Sequence, residues 1–264
     1  MKIRPRVGFH DFLNSRPILH PIRHGLVETP FELVIDTPSR LADRFHEGDL
    51  DMALIPSIEY AKNPDAVIVP DVCIASMGRV ETVLLFSEMA MEDMESVCVD
   101  PKSRTSVAML KILFKEKYGK EPSMIIGEDD PAMMLRSADA GLVIGDAAFT
   151  IDKDKYVTYD LGELWFTHTG RPFVHAIMCS KRGEQWDRAI ESIAEAKRTG
   201  LRDRELIARQ TESDHRKADE LYDYLTKRIH YDLGDEEKAG LAHFLETARA
   251  MGLADRSDLE FYAG

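Results

Sequence analysis

Phe173-Val174-His175-Ala176-Ile177-Met178 is a run of strand-forming residues that arrives late in the chain, just after the turn-like Thr169-Gly170-Arg171-Pro172. Its position carries more information than its content. Upstream, short apolar β-prone runs alternate with amphipathic segments, and eight of those runs read as strands: Arg6 to Phe9, Phe31 to Ile35, Met52 to Ile55, Ala66 to Val69, Thr82 to Phe86, Ser96 to Val99, Met124 to Ile126 and Leu142 to Ile144. Such alternation predicts an α/β fold. A ninth strand returning at Phe173 points to two lobes rather than one doubly wound sheet. The expected division puts residues 1–87 and 178–264 in the first lobe and residues 88–177 in the second, so that the chain crosses twice and the crossings form a hinge.

Helix starts fall directly after several strands. Thr37-Pro38 places an N-cap before proline at the first helical position, and Gly48 ends that helix. Ser15 and Pro17 mark another start, and Ser103 to Ser106 precede the periodic run Val107 to Phe114. Beyond Glu184 the chain turns helical and charge-rich, with helices expected over 186–197, 203–210, 217–229 and 236–251. The acidic runs Glu128-Asp129-Asp130 and Asp235-Glu236-Glu237 read as helix N-terminal charge rather than metal ligands.

Composition narrows the function. A chain of 264 residues with 44% hydrophobic content buries a substantial core. Its net charge of -13 argues against a nucleic-acid partner, which needs a concentrated basic face. Met1 leads straight into strand-like sequence with no signal-peptide stretch, and no run approaches membrane-spanning length, so a cytoplasmic protein is expected. Cys73, Cys98 and Cys179 lack metal or disulfide spacing and read as small buried hydrophobes. Neither a Walker motif nor a G-x-G-x-x-G is present, and no metal or cofactor is expected.

What remains is a set of strand ends rich in hydrogen-bonding groups. Phe12-Leu13-Asn14-Ser15-Arg16-Pro17 opens a helix after the first strand, where free N–H groups favour an anion; a plain helix cap explains the same residues. Asp100-Pro101-Lys102-Ser103-Arg104-Thr105-Ser106 puts three hydroxyls and a guanidinium at a second such start, enough to hold a carboxylate without metal. Ser57 after Pro56, and Gly145 with Asp146, end buried strands where open α/β sheets bind ligands, although Asp146 equally suits a cap. Ser76 and Gly78 form a polar turn before Thr82, and Thr169 with Gly170 form an edge near the second crossing. Nine histidines show no metal motif, and His10 beside Asp11 is a candidate proton shuttle.

Taken in order, these segments resemble the chorismate dehydratase family of menaquinone biosynthesis. The likeness runs through Gly8, Leu13-Asn14-Ser15, Pro17, Gly48-Asp49-Leu50-Asp51, Ile55-Pro56-Ser57-Ile58-Glu59-Tyr60, Pro70-Asp71 and Ser76-Met77-Gly78. It continues through Ser103-Arg104-Thr105-Ser106, Ile144-Gly145-Asp146, Asp160-Leu161-Gly162, Trp165, Thr169-Gly170 and Pro172-Phe173-Val174. The resemblance implies a periplasmic-binding-protein type II fold and a cofactor-free dehydration of chorismate on the futalosine route. It assigns Asn14 and Thr82 to the reacting end of the substrate and Ser103 to Ser106 to a carboxylate, with Ser15, Ser57, Ser76, Gly78, Gly145, Asp146, Thr169 and Gly170 around the cleft. Thr82 stands where relatives are expected to carry serine. Two alternatives accompany this reading: a 1,4-dihydroxy-6-naphthoate synthase-like enzyme, whose Ser-Pro-Cys-Pro-Asn-Asp-type motif is missing, and a non-catalytic carboxylate-binding protein.

Overall fold

The structure is a computed structural model that describes residues 4–127, 130–213 and 216–264. Ten strands form two five-stranded sheets. In chain order they are β1 (Arg6–Phe9), β2 (Glu32–Ile35), β3 (Met52–Pro56), β4 (Ala66–Ser76), β5 (Val83–Ser87), β6 (Ser96–Val99), β7 (Ser123–Ile126), β8 (Ala140–Ile144), β9 (Val157–Asp160) and β10 (Phe173–Lys181). The first sheet has the order β2-β1-β3-β10-β4 and the second β7-β6-β8-β5-β9. In each, three neighbouring strands run parallel, while β10 in one and β5 in the other pair antiparallel with both their neighbours. The late strand thus returns to the first sheet. It is an interior strand of that sheet, flanked by β3 and β4 and buried along most of its length.

The chain changes sheets between Ser76 and Val83 and comes back between Asp160 and Phe173. β5 therefore lies in the second sheet and β10 wholly in the first, whereas the expected boundaries at 87 and 178 assign β5 and most of β10 to the opposite lobes. The reason is local. Ser76 to Thr82 holds the polar turn and Glu81 in a left-handed conformation at φ 66°, so the chain redirects before the apolar run rather than after it. Two stretches of strand escape an apolar-run reading. β9 carries one aliphatic residue and borders the sheet, and β4 continues through Pro70-Asp71 because an edge strand tolerates a missing N–H.

Helices α1 (Arg16–Arg23), α2 (Pro38–His46), α3 (Ser57–Tyr60), α4 (Arg104–Tyr118), α5 (Pro131–Ser137) and α6 (Leu161–Thr169) connect the strands. Asp130 caps α5 by accepting a hydrogen bond from the Met133 N–H at 2.9 Å; Glu128 and Asp129 lie outside the described residues. The C-terminal part forms α7 (Asp187–Arg202), α8 (Arg204–Thr211), α9 (Ala218–Asp223), a π-helical turn at Tyr224–Arg228, and α10 (Asp235–Ala250). These helices are part of the core. α7 packs on α1 so closely that a Cβ at Gly200 would stand 1.6 Å from the Pro17 carbonyl oxygen. α10 lies against both β10 of the first sheet and α4 of the second.

Asp160 joins the two crossings. Its carboxylate accepts from the N–H groups of Val80 at 3.1 Å and Glu81 at 2.6 Å on the outward crossing, and from that of Glu163 at 3.1 Å at the start of α6. Burial raises this carboxyl above the usual range, and the donated N–H bonds oppose that rise. Gly162 completes the join: a Cβ there would stand 2.6 Å from the Gly78 carbonyl oxygen, so only glycine permits the contact.

Candidate active site

Between the lobes lies a narrow slot with a cavity volume of about 60 Å³. Strand ends and helix starts supply its polar lining, the usual ligand position in open α/β sheets. Asn14 and His10 come from the exit of β1, His175 from β10, Thr82 from the outward crossing, Ser103 to Ser106 from the start of α4, and Gly145 from the exit of β8.

The α4 wall is built from donors. Ser103, Thr105 and Ser106 are buried at the first turn, where the helix has N–H groups without intrahelical partners. Thr105 Oγ1 accepts from the Ile58 N–H at 3.2 Å, which leaves its own hydrogen for another acceptor. Arg104 lines the slot too, but its guanidinium donates to Glu59 at 3.0 Å and to Asp43 at 2.8 Å, pairing α4 with the first lobe. Lys102 adds a cation that sequence reading left out of the site, 3.8 Å from Asp100.

The opposite wall presents uncharged rings. Burial pushes the imidazoles of His10 and His175 down to about 4, in His10 against the opposing charge of Asp11, so both are neutral at neutral pH. His175 stands at a register shift between Val174 and Ala176, a bulge that re-aims the side chain, and its Nε2 meets Ser76 Oγ at 2.9 Å. Thr82 Oγ1 lies 2.9 Å from the hydroxyl of Tyr224.

Among the described residues, eight buried side-chain polar atoms have no hydrogen-bond partner, and four of them line this slot: His10 Nδ1, Asn14 Oδ1, Ser103 Oγ and His175 Nδ1. Buried polar atoms are normally paired, and unpaired ones gathered around one cavity are sites prepared for a ligand's polar groups.

Seven residues expected at the site do other work. Ser15 donates to the carbonyls of His10 and Phe12 and fixes the turn that presents Asn14. Ser57 donates to the Val174 carbonyl at 2.7 Å, Ser76 holds His175, and Gly78 receives Gly162. Asp146 accepts from the Leu13 N–H at 3.1 Å across the lobes, its carboxyl raised by burial. Thr169 and Gly170 close α6, with Gly170 at φ 68°. Gly145 does line the slot, against the Phe12 ring, at φ 65°. Besides Lys102, His175 and Tyr224 are the residues sequence reading missed. His175 leaves a trace as a histidine inside an apolar strand, and Tyr224 leaves none.

The architecture matches that of binding proteins: the periplasmic aliphatic sulphonate binding protein of Escherichia coli superimposes with a TM-score of 0.62 at 13% identity, covering 97% of this chain and 95% of that one. The fold is periplasmic-binding-protein-like. A chorismate dehydratase of Thermus thermophilus is 29% identical over 255 residues, 88% of this chain and 91% of that protein. A chorismate dehydratase of Campylobacter jejuni is 26% identical over 257 residues, 94% of this chain and 99% of its own length. The family model described as menaquinone biosynthesis matches residues 5–250. Spanning nearly the whole of both lobes and every wall of the slot, that match makes the chain a member of the menaquinone biosynthesis family.

Proposed function

We propose that this protein is a chorismate dehydratase, a carbon-oxygen lyase that converts chorismate to 3-[(1-carboxyvinyl)oxy]benzoate and water on the futalosine route. The observation that carries the reading is the cluster of four unpaired buried polar atoms in one narrow slot, beside a helix start lined with hydroxyls. Chorismate is a small dicarboxylate with a ring hydroxyl, and the slot offers donors on one wall and neutral hydrogen-bonding groups on the other.

The chemistry asks little of the protein. Loss of the ring C3 proton is eased by conjugation through the diene to the ring carboxylate, and departure of the C4 hydroxyl then yields an aromatic ring, which drives the reaction. The enzyme has to hold two carboxylates, exclude bulk water and align the groups that receive the proton and release the hydroxyl. Ser103, Ser106 and the first turn of α4 hold a carboxylate. Imidazoles held near 4 are weak bases, so His10 and His175 serve as neutral hydrogen-bond partners. The C3 proton goes to the substrate's own enolpyruvyl carboxylate, and Asn14 and Thr82 position the reacting end.

Incubating purified protein with chorismate, without added metal or cofactor, is expected to yield the enolpyruvyl benzoate product. Tight binding of chorismate with no turnover would instead favour a carboxylate-binding protein, the reading that the fold's likeness to transport binding proteins supports.

A further inference from the structure

We infer that Tyr224 is a positioning residue for the reaction, one whose buried hydroxyl donates to Thr82 and so makes Thr82 a donor toward the ligand. The inference rests on the proposed role of Thr82 at the reacting end of the substrate.

The direction follows from counting protons. A tyrosine hydroxyl has one hydrogen to give and can accept from its neighbours. Thr82 Oγ1 is the acceptor within hydrogen-bond distance of this buried hydroxyl, at 2.9 Å, and a Tyr224 that accepted there instead would leave its own hydrogen unpaired in the interior. The phenolic hydrogen therefore goes to Thr82 Oγ1. With that lone pair taken, the hydrogen of Thr82 turns to the slot that the residue lines. Burial holds the Tyr224 hydroxyl protonated, well above its ordinary range.

The surroundings fix this hydroxyl in place. Tyr224 is 2% exposed and opens the π-helical turn Tyr224–Arg228, a distortion often found at functional sites. Its ring stands at 88° to that of Phe149, centroids 5.5 Å apart, in the 3-10 helix that begins at Gly145. The C-terminal segment therefore reaches the boundary between lobes and orders a polar group 142 residues away in sequence. For a leaving C4 hydroxyl, a threonine that donates is useful and one that accepts is not.

The test has one arm that needs no substrate and one that does. In ligand-free protein, the slowly exchanging hydroxyl proton of Tyr224, assigned by its loss in Tyr224→Phe, is expected in the NMR spectrum and should move upfield in Thr82→Val, which removes its acceptor. A resonance that Thr82→Val leaves in place overturns the proposed direction. In the kinetic arm, Tyr224→Phe is expected to lower kcat about tenfold, the scale of one neutral hydrogen bond, with KM changed less than about twofold. In a Thr82→Val background the same substitution should add nothing, whereas Thr82→Ser should keep the full sensitivity to Tyr224→Phe. Additive losses in the double variant overturn the inference. Wild-type protein that leaves chorismate intact would sink the proposed function instead, and the NMR arm would then decide the direction of the hydrogen bond alone.

Discussion

Two helix starts face each other across the slot, and their sequences look alike: a strand end, an asparagine or serine, an arginine, then an amphipathic helix. They differ in what they hold back. At α4 the hydroxyls of Ser103 to Ser106 stay at the slot while the arginine turns away to Glu59 and Asp43. At α1 the serine turns inward to the His10 and Phe12 carbonyls, Arg16 pairs with Asp11 at 3.3 Å and donates to Thr211 at 2.8 Å, and Asn14 is left facing two neutral histidines and a buried tyrosine network. Under the proposed function one wall binds charge, and its counterpart, with its two desolvated imidazoles, directs protons and lone pairs. A helix start therefore reveals an anion site only when its own side chains are not consumed in holding the turn together.

The contrast predicts a hierarchy of effects. Asn14→Ala, on the wall of uncharged rings, is expected to reduce kcat by about a hundredfold or more with little change in melting temperature, the scale of losing a pre-aligned polar group next to developing charge. Near-normal turnover in that variant would remove Asn14 from the mechanism and level the two walls.

Desolvation of an imidazole has a pH signature. With a native value near 4 against an ordinary 6.5, a buried imidazole takes up its proton first in the unfolded chain. Its contribution to stability is therefore complete above about pH 6.5 and is lost as the pH falls toward 4. His175→Gln should flatten the stability profile across that window by roughly 2 to 3 kcal/mol, read from denaturant melts at several pH values. Parallel wild-type and variant profiles would show that this histidine is not desolvated.

Ser103→Ala, on the charge-binding wall, should act on binding. KM is expected to rise about tenfold with kcat nearly kept, the mark of a contact made equally in ground and transition states. A fall in kcat larger than the rise in KM would move Ser103 into the chemistry. Arg104→Met should do least to the kinetics, changing KM less than about threefold, because its charge is already spent. Its effect belongs in the melting curve, through the buried Glu59, which keeps Lys62 at 2.8 Å as its other partner.

Much of this was legible in the residues. Most of the nine strands show as apolar runs because they are buried on at least one face, while β7 shows through its isoleucines with no residue buried, and Ser103 to Ser106 stand out because three hydroxyls at a helix start exceed what a cap requires. Asp160-Leu161-Gly162 reads as a motif whose purpose only the fold explains: the carboxylate and the glycine gather two crossings far apart in sequence. At Ser57, and for part of the Arg104 guanidinium, residue type gives the capacity to bind a ligand but not whether another part of the chain has claimed it. Tyr224 was beyond reach, because nothing local distinguishes a tyrosine on a charged helix from one whose hydroxyl lies against Thr82.

The junction at Asp160 has a kinematic meaning. Two separate strands between rigid bodies permit bending, twisting and shear, so the bodies can meet in many alignments. Tying both strands to one carboxylate, with glycine packed on glycine beside it, couples them into a single axle. The crossings are thereby held in one register, and with them the strand ends that carry Thr82 and His175 on either side of the junction.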